Sequence, residues 1–142
     1  MELQIITEAI EFRTNGSTHI LDITQEIRAL LSETSLSEGN VLVSAIGSTT
    51  GLTTLEFEPG LVNHDISDMF DLFAPYAKDY KHNFTWGDDN GAAHLRSALT
   101  GTSLTIPIIR GELILGTWQQ IVFIDFDTRP RNRKVIVQFL GR

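Results

Sequence analysis

Hydrophobic and polar residues alternate along most of the last third of the chain, which is the pattern of strands that bury one face. Arg110-Gly111 falls between two of these stretches and predicts a hairpin turn. Successive strands without a helical period between them predict an antiparallel sheet, with helices placed elsewhere. The predicted strands are Ser103 to Ile109, Glu112 to Leu115, Gln119 to Asp127 and Lys134 to Leu140.

The N-terminal part of the chain combines further strands with one helix. Leu3 to Phe12 alternates loosely and ends at a turn over Thr14 to Gly16. A helix is predicted over Gln25 to Ser32, with Asp22 or Thr24 as its N-cap. The other predicted strands are Thr18 to Ile23, Val41 to Ile46 and Leu52 to Phe57.

Apolar residues at helical spacing predict two more helices in the middle of the chain. Leu61 to Ala74 is amphipathic, and Pro75 ends it. Ala92 to Leu99 is a shorter helix that is closed by Gly101. The segment between them, Asp79 to Gly91, is predicted to be mostly loop.

These elements predict one domain over residues 1–142, a length sufficient to bury a hydrophobic core. The predicted fold class is α+β, with an antiparallel, β-sandwich-like sheet that carries about three short helices.

Composition narrows the class of protein. A net charge of -7 and a pI near 4.9 argue against a nucleic-acid partner, which requires a basic face. The absence of cysteine excludes disulfides, thiolate nucleophiles and cysteine-ligated zinc, and it fits a reducing cytosol. No stretch approaches the roughly 18 apolar residues of a membrane-spanning helix. The start of the chain also lacks the features of a signal peptide, so we expect a cytoplasmic protein with no membrane partner.

The stretch from His82 to Leu99 concentrates polar, aromatic and glycine residues, and segments of this kind often carry sites. Neutral imidazole binds transition metals and transfers protons near neutral pH, so His82 and His94 are the leading candidates. A returning loop would bring them together with an intervening carboxylate, Asp88 or Asp89. The spacing matches no standard zinc motif. Spacing alone favours the alternative, in which His82 lies on the surface and His94 packs against the sheet.

A second polar run, GSTTG from Gly47 to Gly51, follows a predicted strand. Glycine allows a ligand to approach the backbone closely, and exposed N–H groups and hydroxyls suit phosphate. The run lacks the lysine and the glycine spacing of a Walker loop. An ordinary turn between two strands is the alternative.

Acidic residues near two predicted strand ends are further candidates. Glu56 and Glu58 share one face of a strand, so either can act as a general base or a metal ligand, unless the face is merely solvated. Asp125 and Asp127 have the same spacing around a phenylalanine. The arginines that follow either pair with these acids or bind an anionic ligand. These arginines are Arg129, Arg131 and Arg133.

Several of these motifs resemble the YjbQ family, long known as an uncharacterised protein family. The most specific motif is GELILGTWQ, from Gly111 to Gln119. The resemblance continues in HNFTWGDDNGAAHLRSAL from His82, in DFDTRPR from Asp125 and in STTGLTTLEFEPG from Ser48. It therefore covers nearly the whole chain.

The resemblance implies an α+β, sandwich-like fold that assembles as a homotrimer, with sites near the subunit interfaces. It also implies thiamine phosphate synthase activity, which joins a pyrimidine diphosphate to a thiazole phosphate and releases pyrophosphate. In the family this activity is regarded as secondary, and the physiological role is unsettled.

The resemblance also selects site residues. His82 and His94 match two of three family histidines that can gather a metal or an anion, whereas Gly47 stands at the third position. We predict His94, His82 and Glu56 as catalytic residues, with the two histidines as metal ligands. An extra residue near Pro130 leaves open which arginine takes the family's role. The predicted ligand-binding residues are Ser48, Thr49, Asn83, Asp89, Asn90, Gln119 and Arg131.

Two functions of different classes follow. In the first, the chain is an enzyme whose phosphorylated substrate lies between the GSTTG run and the histidines, with a divalent metal such as Mg²⁺ or Zn²⁺ as the implied cofactor. In the second, the chain is a non-catalytic trimeric module that binds a phosphorylated metabolite or a divalent metal. A third hypothesis is a structural trimer whose polar loops pack at subunit contacts.

Overall fold

A computed structural model describes residues 2–142, which form strands and helices of the mixed α+β class. The strands are β1 (Gln4–Thr14), β2 (His19–Asp22), β3 (Glu38–Ala45), β4 (Thr50–Leu55), β5 (Ser103–Ile109), β6 (Glu112–Leu113), β7 (Gln120–Asp125) and β8 (Arg131–Gly141). The helices are α1 (Thr24–Ser32), α2 (Ile66–Phe73), α3 (Lys81–Trp86) and α4 (Gly91–Thr100), and a π-helical turn, Leu61–Asp65, precedes α2.

The strands form two antiparallel sheets. The larger has the order β1-β8-β3-β5-β6, and the smaller has the order β2-β7-β4. In the smaller sheet, β4 runs antiparallel to β7, so that Thr50 pairs with Asp125 at one end and Leu55 pairs with Gln120 at the other. This register fixes which polar residues share an end of the sheet.

Strand β7 lies in the middle of the domain and is buried on both faces. Ile121 and Phe123 point towards the larger sheet and α1, within the main hydrophobic core. Val122 and Ile124 point the other way and pack against the helical layer in a second core, where Phe70 of α2 also lies. A strand that is covered on both faces reads as a continuous apolar run, which explains its sequence. The sandwich-like α+β architecture is therefore confirmed.

Several local predictions need correction. Asp79–Gly91 is not mostly loop, because α3 forms within it and raises the number of α-helices to four. The side chains of Phe84 and Trp86 stay largely exposed, so this helix has no buried apolar stripe to reveal it. Strand β6 covers only Glu112–Leu113 rather than continuing to Leu115.

The predicted shared strand face of Glu56 and Glu58 is wrong, because β4 ends at Leu55. Glu58 instead accepts hydrogen bonds from the N–H groups of Gly60 and Leu61, at 2.7 and 3.0 Å. These two bonds lower the pKa of the Glu58 carboxyl. Its role is thus to support the start of the π-helical turn.

Within residues 2–142, no helix combines the length and the apolar character that crossing a membrane would require.

Candidate functional site

One end of the smaller sheet gathers most of the polar residues that the sequence singled out. The loop from β3 to β4 delivers Ser48 and Thr49 to this end, and β7 delivers Asp125. Helix α4 crosses β4 here, where the hydroxyl of Ser97 donates a 2.6 Å hydrogen bond to the carbonyl oxygen of Thr50. We call this region the histidine end, because α4 and α3 also carry the two candidate histidines.

A buried acid–arginine network forms the floor of the histidine end. Asp125 is fully buried and accepts two hydrogen bonds from Arg133, from Nε at 2.7 Å and from Nη2 at 2.9 Å. Arg133 Nη2 also donates to Thr49 Oγ1 at 2.9 Å, and Thr49 Oγ1 donates to Asp127 Oδ2 at 3.2 Å. Arg131 Nε donates to the same Asp127 oxygen at 3.2 Å. Arg133 thus forms a largely buried pair with Asp125, whereas Arg131 reaches the buried Asp127 from a partly exposed position.

Asp127 is held as a carboxylate despite its burial. Burial acts to raise its pKa, but the N–H of Thr128, the charge of Arg131 and the hydrogen bonds from Asn90 and Thr49 outweigh it. The pKa of Asp127 therefore lies below its ordinary value. The Asp127 carboxylate therefore stays ionised, paired with Arg131, at neutral pH.

Two local interactions position helix α3, and with it His82, at the site. Gly87 takes the left-handed conformation and ends the helix, with its N–H bonded to the Asn83 carbonyl at 2.8 Å. The side chain of Asn83 then accepts the N–H of Gly91 at 2.8 Å, at the start of α4. A Cβ on Gly91 would lie 2.6 Å from the Cβ of Tyr80, so this close approach requires glycine. Asn83 is therefore a residue that positions α3 against α4.

The two histidines meet where α3 packs against α4. The ring centroids of His82 and His94 are 4.4 Å apart, with the planes tilted by 45°. Asp88 Oδ1 lies 3.3 Å from His82 Nδ1. The predicted juxtaposition of the histidines with a carboxylate is thus present, and both histidines are half-buried.

The histidine pair is joined to the acid–arginine network by the loop between α3 and α4. Asn90 Nδ2 donates to Asp127 Oδ1 at 3.4 Å. The hydroxyl of Thr128 donates to Asp89 Oδ1 at 2.7 Å. Histidines, amides, hydroxyls and paired charges therefore form one continuous polar surface.

Several buried polar atoms at this end have no hydrogen-bond partner. They are Thr50 Oγ1, Asn90 Oδ1 and His82 Nδ1, whose approach to the Asp88 carboxylate lacks hydrogen-bond geometry. A fourth such atom, Thr100 Oγ1, lies at the end of α4. Leaving a buried polar atom unpaired costs roughly 1–3 kcal/mol, so native proteins retain few of them without a reason. Their concentration here is the arrangement expected of a site whose ligand supplies the missing partners.

Glu56 and Gln119 do not join this site within the chain. They lie beyond the opposite end of β4 and β7, which we call the glutamine end, about 17 Å away at about 3.3 Å per strand residue. There they line a cleft of about 430 Å³ together with Trp118, Arg28 and Asp22. The register of β4 on β7 separates residues that the sequence alone treated as one group.

The described residues do not fit the complete metal site that the resemblance implies. A zinc site in a protein normally has at least three protein ligands. His82 and His94 supply two, and no group of three or more His, Cys, Asp or Glu side chains in residues 2–142 has a metal-binding arrangement. Gly47 brings no side chain to this end.

Sequence reasoning missed Arg96, which lies fully buried beneath the histidine end. Its guanidinium donates to the Ala74 carbonyl at 2.9 Å, to Thr18 at 3.0 Å and to Asp71 at 2.8 Å, and it lies 4.2 Å from the ring centre of Tyr76. These contacts fasten α4 to the segment after α2. An arginine on a short helix normally indicates a solvated face, so no sequence signal marked it.

Known proteins match this chain over nearly its full length. The profile of the family described as "UPF0047 protein YjbQ-like" matches residues 8–142. A UPF0047 protein of Archaeoglobus fulgidus is 39% identical over 131 residues, covering 92% of this chain and 98% of that protein. The UPF0047 protein YugU of Bacillus subtilis is 32% identical over 134 residues, covering 94% and 98%.

Solved structures show the same fold. A YbjQ-like protein of unknown function from Sulfolobus solfataricus superposes with a TM-score of 0.93 at 28% identity, covering 99% of this chain and 100% of that one. An uncharacterised protein of the yjbq/upf0047 family from Clostridium acetobutylicum gives a TM-score of 0.83 at 33% identity, with coverage of 93% and 98%.

Proposed function

The chain belongs to the YjbQ-like UPF0047 family, and we propose that its histidine end binds a phosphorylated small molecule and catalyses thiamine phosphate synthase-like coupling. One observation carries the proposal. A close histidine pair shares one surface with buried unpartnered polar atoms and an acid–arginine network. Imidazoles supply proton transfer, and fixed donors stabilise charge that develops on a leaving group.

The proposed reaction joins a pyrimidine diphosphate to a thiazole phosphate and releases pyrophosphate. In this proposal the thiazole nitrogen forms a bond to the pyrimidine carbon as the carbon–oxygen bond to pyrophosphate breaks, and His94 or His82 donates a proton to the leaving pyrophosphate; the two rings lie 4.4 Å apart. Asn90 orients the substrate through its unpartnered Oδ1. The arginines and hydroxyls of the floor receive the negative charge of the leaving pyrophosphate.

A non-catalytic trimeric module that binds a phosphorylated metabolite is the second candidate. It is favoured by the absence of Glu56 from the histidine end, which leaves the paired histidines without the predicted catalytic glutamate in the same chain. We propose a homotrimer in either case. Its support in this chain is the exposed apolar surface of α2 and α4, where Leu72 is 84% and Leu99 is 64% exposed.

The test is thiamine phosphate formation, measured with Mg²⁺ supplied alongside the pyrimidine diphosphate. We expect His94→Ala to reduce the rate by about 100-fold or more, the usual contribution of a general acid or base. His64→Ala is the matched control, since His64 is an exposed histidine outside the site.

Circular dichroism and light scattering on the same preparations establish that the variants fold and keep the expected mass, three times the 15.8 kDa chain. Wild-type activity that His94→Ala retains would contradict the catalytic role. Tight binding of a phosphorylated vitamin without turnover would select the binding module instead.

A further inference from the structure

The loop between β3 and β4 has hydrogen-bond donors that nothing else in the fold uses. Its last three residues are Gly47, Ser48 and Thr49, and we call this segment the GST loop. Within residues 2–142, no backbone carbonyl accepts the N–H groups of these three residues. The carbonyl of Thr49 is different, because it accepts the N–H of Phe126 at 2.9 Å. Successive free N–H groups of this kind form anion-binding concavities.

A buried hydroxyl and a guanidinium nitrogen border the space above Gly47. A β-carbon on Gly47 would lie 3.1 Å from Thr50 Oγ1 and 3.4 Å from Arg133 Nη1. Thr50 is fully buried and its hydroxyl has no partner. Arg133 uses Nε and Nη2 for Asp125 and Thr49, which leaves Nη1 free of any acceptor in the described part of the chain.

Gly47 keeps this space open for a reason other than backbone conformation. Its φ lies outside the left-handed region, so the backbone there does not require glycine. Gly47 is exposed, which means that a ligand reaches the space from solvent. Any larger side chain would stand between solvent and the donors of Thr50 and Arg133.

We infer that the GST loop, Thr50 Oγ1 and Arg133 Nη1 form a subsite for the terminal phosphoryl group of a phosphate or diphosphate ester. This inference rests on the proposed function, and it assigns the position of the ligand's terminal phosphoryl group. The carboxylates that face this region, Asp125 and Asp127, are already paired with Arg133 and Arg131. A phosphoryl group therefore meets hydrogen-bond donors rather than unpaired negative charge.

The subsite also accounts for the unpartnered oxygen of Asn90. Thr49 connects the GST loop to Asp127, and Asp127 connects it to Asn90. A ligand whose phosphoryl group lies over Gly47 extends from there towards Asn90 Oδ1, which can receive a donor from the rest of the molecule. In this arrangement the phosphate end of the ligand lies over Gly47, and the reacting end lies near Asn90.

Isothermal titration with inorganic pyrophosphate tests the subsite. Thr50→Val removes the hydroxyl at nearly constant shape, and Gly47→Val fills the space above the loop. We expect each variant to bind pyrophosphate about tenfold or more weakly, because Thr50→Val removes a hydrogen bond to a charged group and Gly47→Val blocks access to the donors. Thr50→Val should leave the melting temperature of the ligand-free protein unchanged or higher, since its hydroxyl has no partner to lose.

Two variants serve as matched controls. Thr100→Val removes another buried unpartnered hydroxyl, but one beside the apolar groove between α2 and β4. Gly116→Val adds the same side chain at the glutamine end, where a Cβ would meet only Gln119, at 3.6 Å. Both should bind pyrophosphate as the wild type does.

The inference is overturned if folded wild-type protein does not bind pyrophosphate, or if Thr50→Val and Thr100→Val bind equally well. Its failure is separable from failure of the proposed reaction. Thr50-dependent pyrophosphate binding without thiamine phosphate formation supports the subsite and rejects the reaction. Product formation that depends on His94, together with binding that is insensitive to Thr50, rejects the subsite alone.

Discussion

The two ends of the small β2-β7-β4 sheet are both polar, but they differ in how completely their polar atoms are paired. At the glutamine end, Gln120 Oε1 accepts the N–H of Phe57 at 2.9 Å. Gln119 accepts the N–H of Gly116 at 2.9 Å and donates to Thr54 at 3.1 Å. At the histidine end, by contrast, Thr50 and Asn90 each keep a buried oxygen without a hydrogen-bond partner.

This difference shows that residue type alone does not identify a ligand site. The glutamine end contains part of the most specific family motif and three acids, yet its two glutamines bond to Thr54 and the nearby backbone. The histidine end is held rigid by a buried ionic network while individual donors and acceptors stay available. Such a combination of a fixed frame and unused polar atoms is what a binding site needs.

The largest effect should come from removing the frame of the histidine end. Arg133→Ala leaves the fully buried Asp125 without its bidentate partner, and breaking a buried pair in this way costs about 3–5 kcal/mol. Arg28→Ala, at the exposed edge of the glutamine-end cleft, should change stability by less than about 0.5 kcal/mol. Urea unfolding at one fixed protein concentration measures both. Similar losses in the two variants would remove the proposed distinction between the ends.

The sequence predicted the architecture well, because alternation and turn residues report directly on strands. Strands such as β5 and β8 and the amphipathic helix before Pro75 lie where the periodicity indicated. Helix α3 was missed because its capping by Gly87 and its contact through Asn83 carry no hydrophobic period.

The site was predicted only in part, for a different physical reason. The sequence identifies the histidines and Thr49 as candidates by residue type. Which candidates lie at the same end of the smaller sheet depends on the register of β4 against β7. That register separates Glu56 and Gln119 from the histidines. The same register buries the hydroxyl of Thr50 without a hydrogen-bond partner, and a threonine in a predicted strand gives no sign of this.

A smaller effect is expected from acid. Because the pKa of Asp127 is lowered in the folded protein, its stabilising contribution is fully present above the unfolded pKa of about 3.9 and is lost as the pH falls through the folded value. The free energy of unfolding should therefore fall below about pH 4, and Asp127→Asn should flatten that decline. Stability measured by urea unfolding at a series of acidic pH values checks this.

Glu58→Gln is the corresponding variant at the glutamine end. The pKa of Glu58 is also lowered, through the N–H groups of Gly60 and Leu61, but its carboxyl is not part of a buried ionic network. We expect Glu58→Gln to flatten the acid decline less than Asp127→Asn does. The opposite ranking would mean that the network does not hold Asp127 as described.

The central claim is that the histidine end binds a phosphate ligand, and the most direct measurement locates that ligand at one end of the sheet. Amide proton–nitrogen correlation NMR, with pyrophosphate titrated into the isotopically labelled protein, reports on each backbone N–H separately. We expect the largest shifts on Gly47, Ser48 and Thr49, with smaller ones around Asn90 and His94. Shifts confined to Thr117 through Gln120, at the glutamine end, would contradict it.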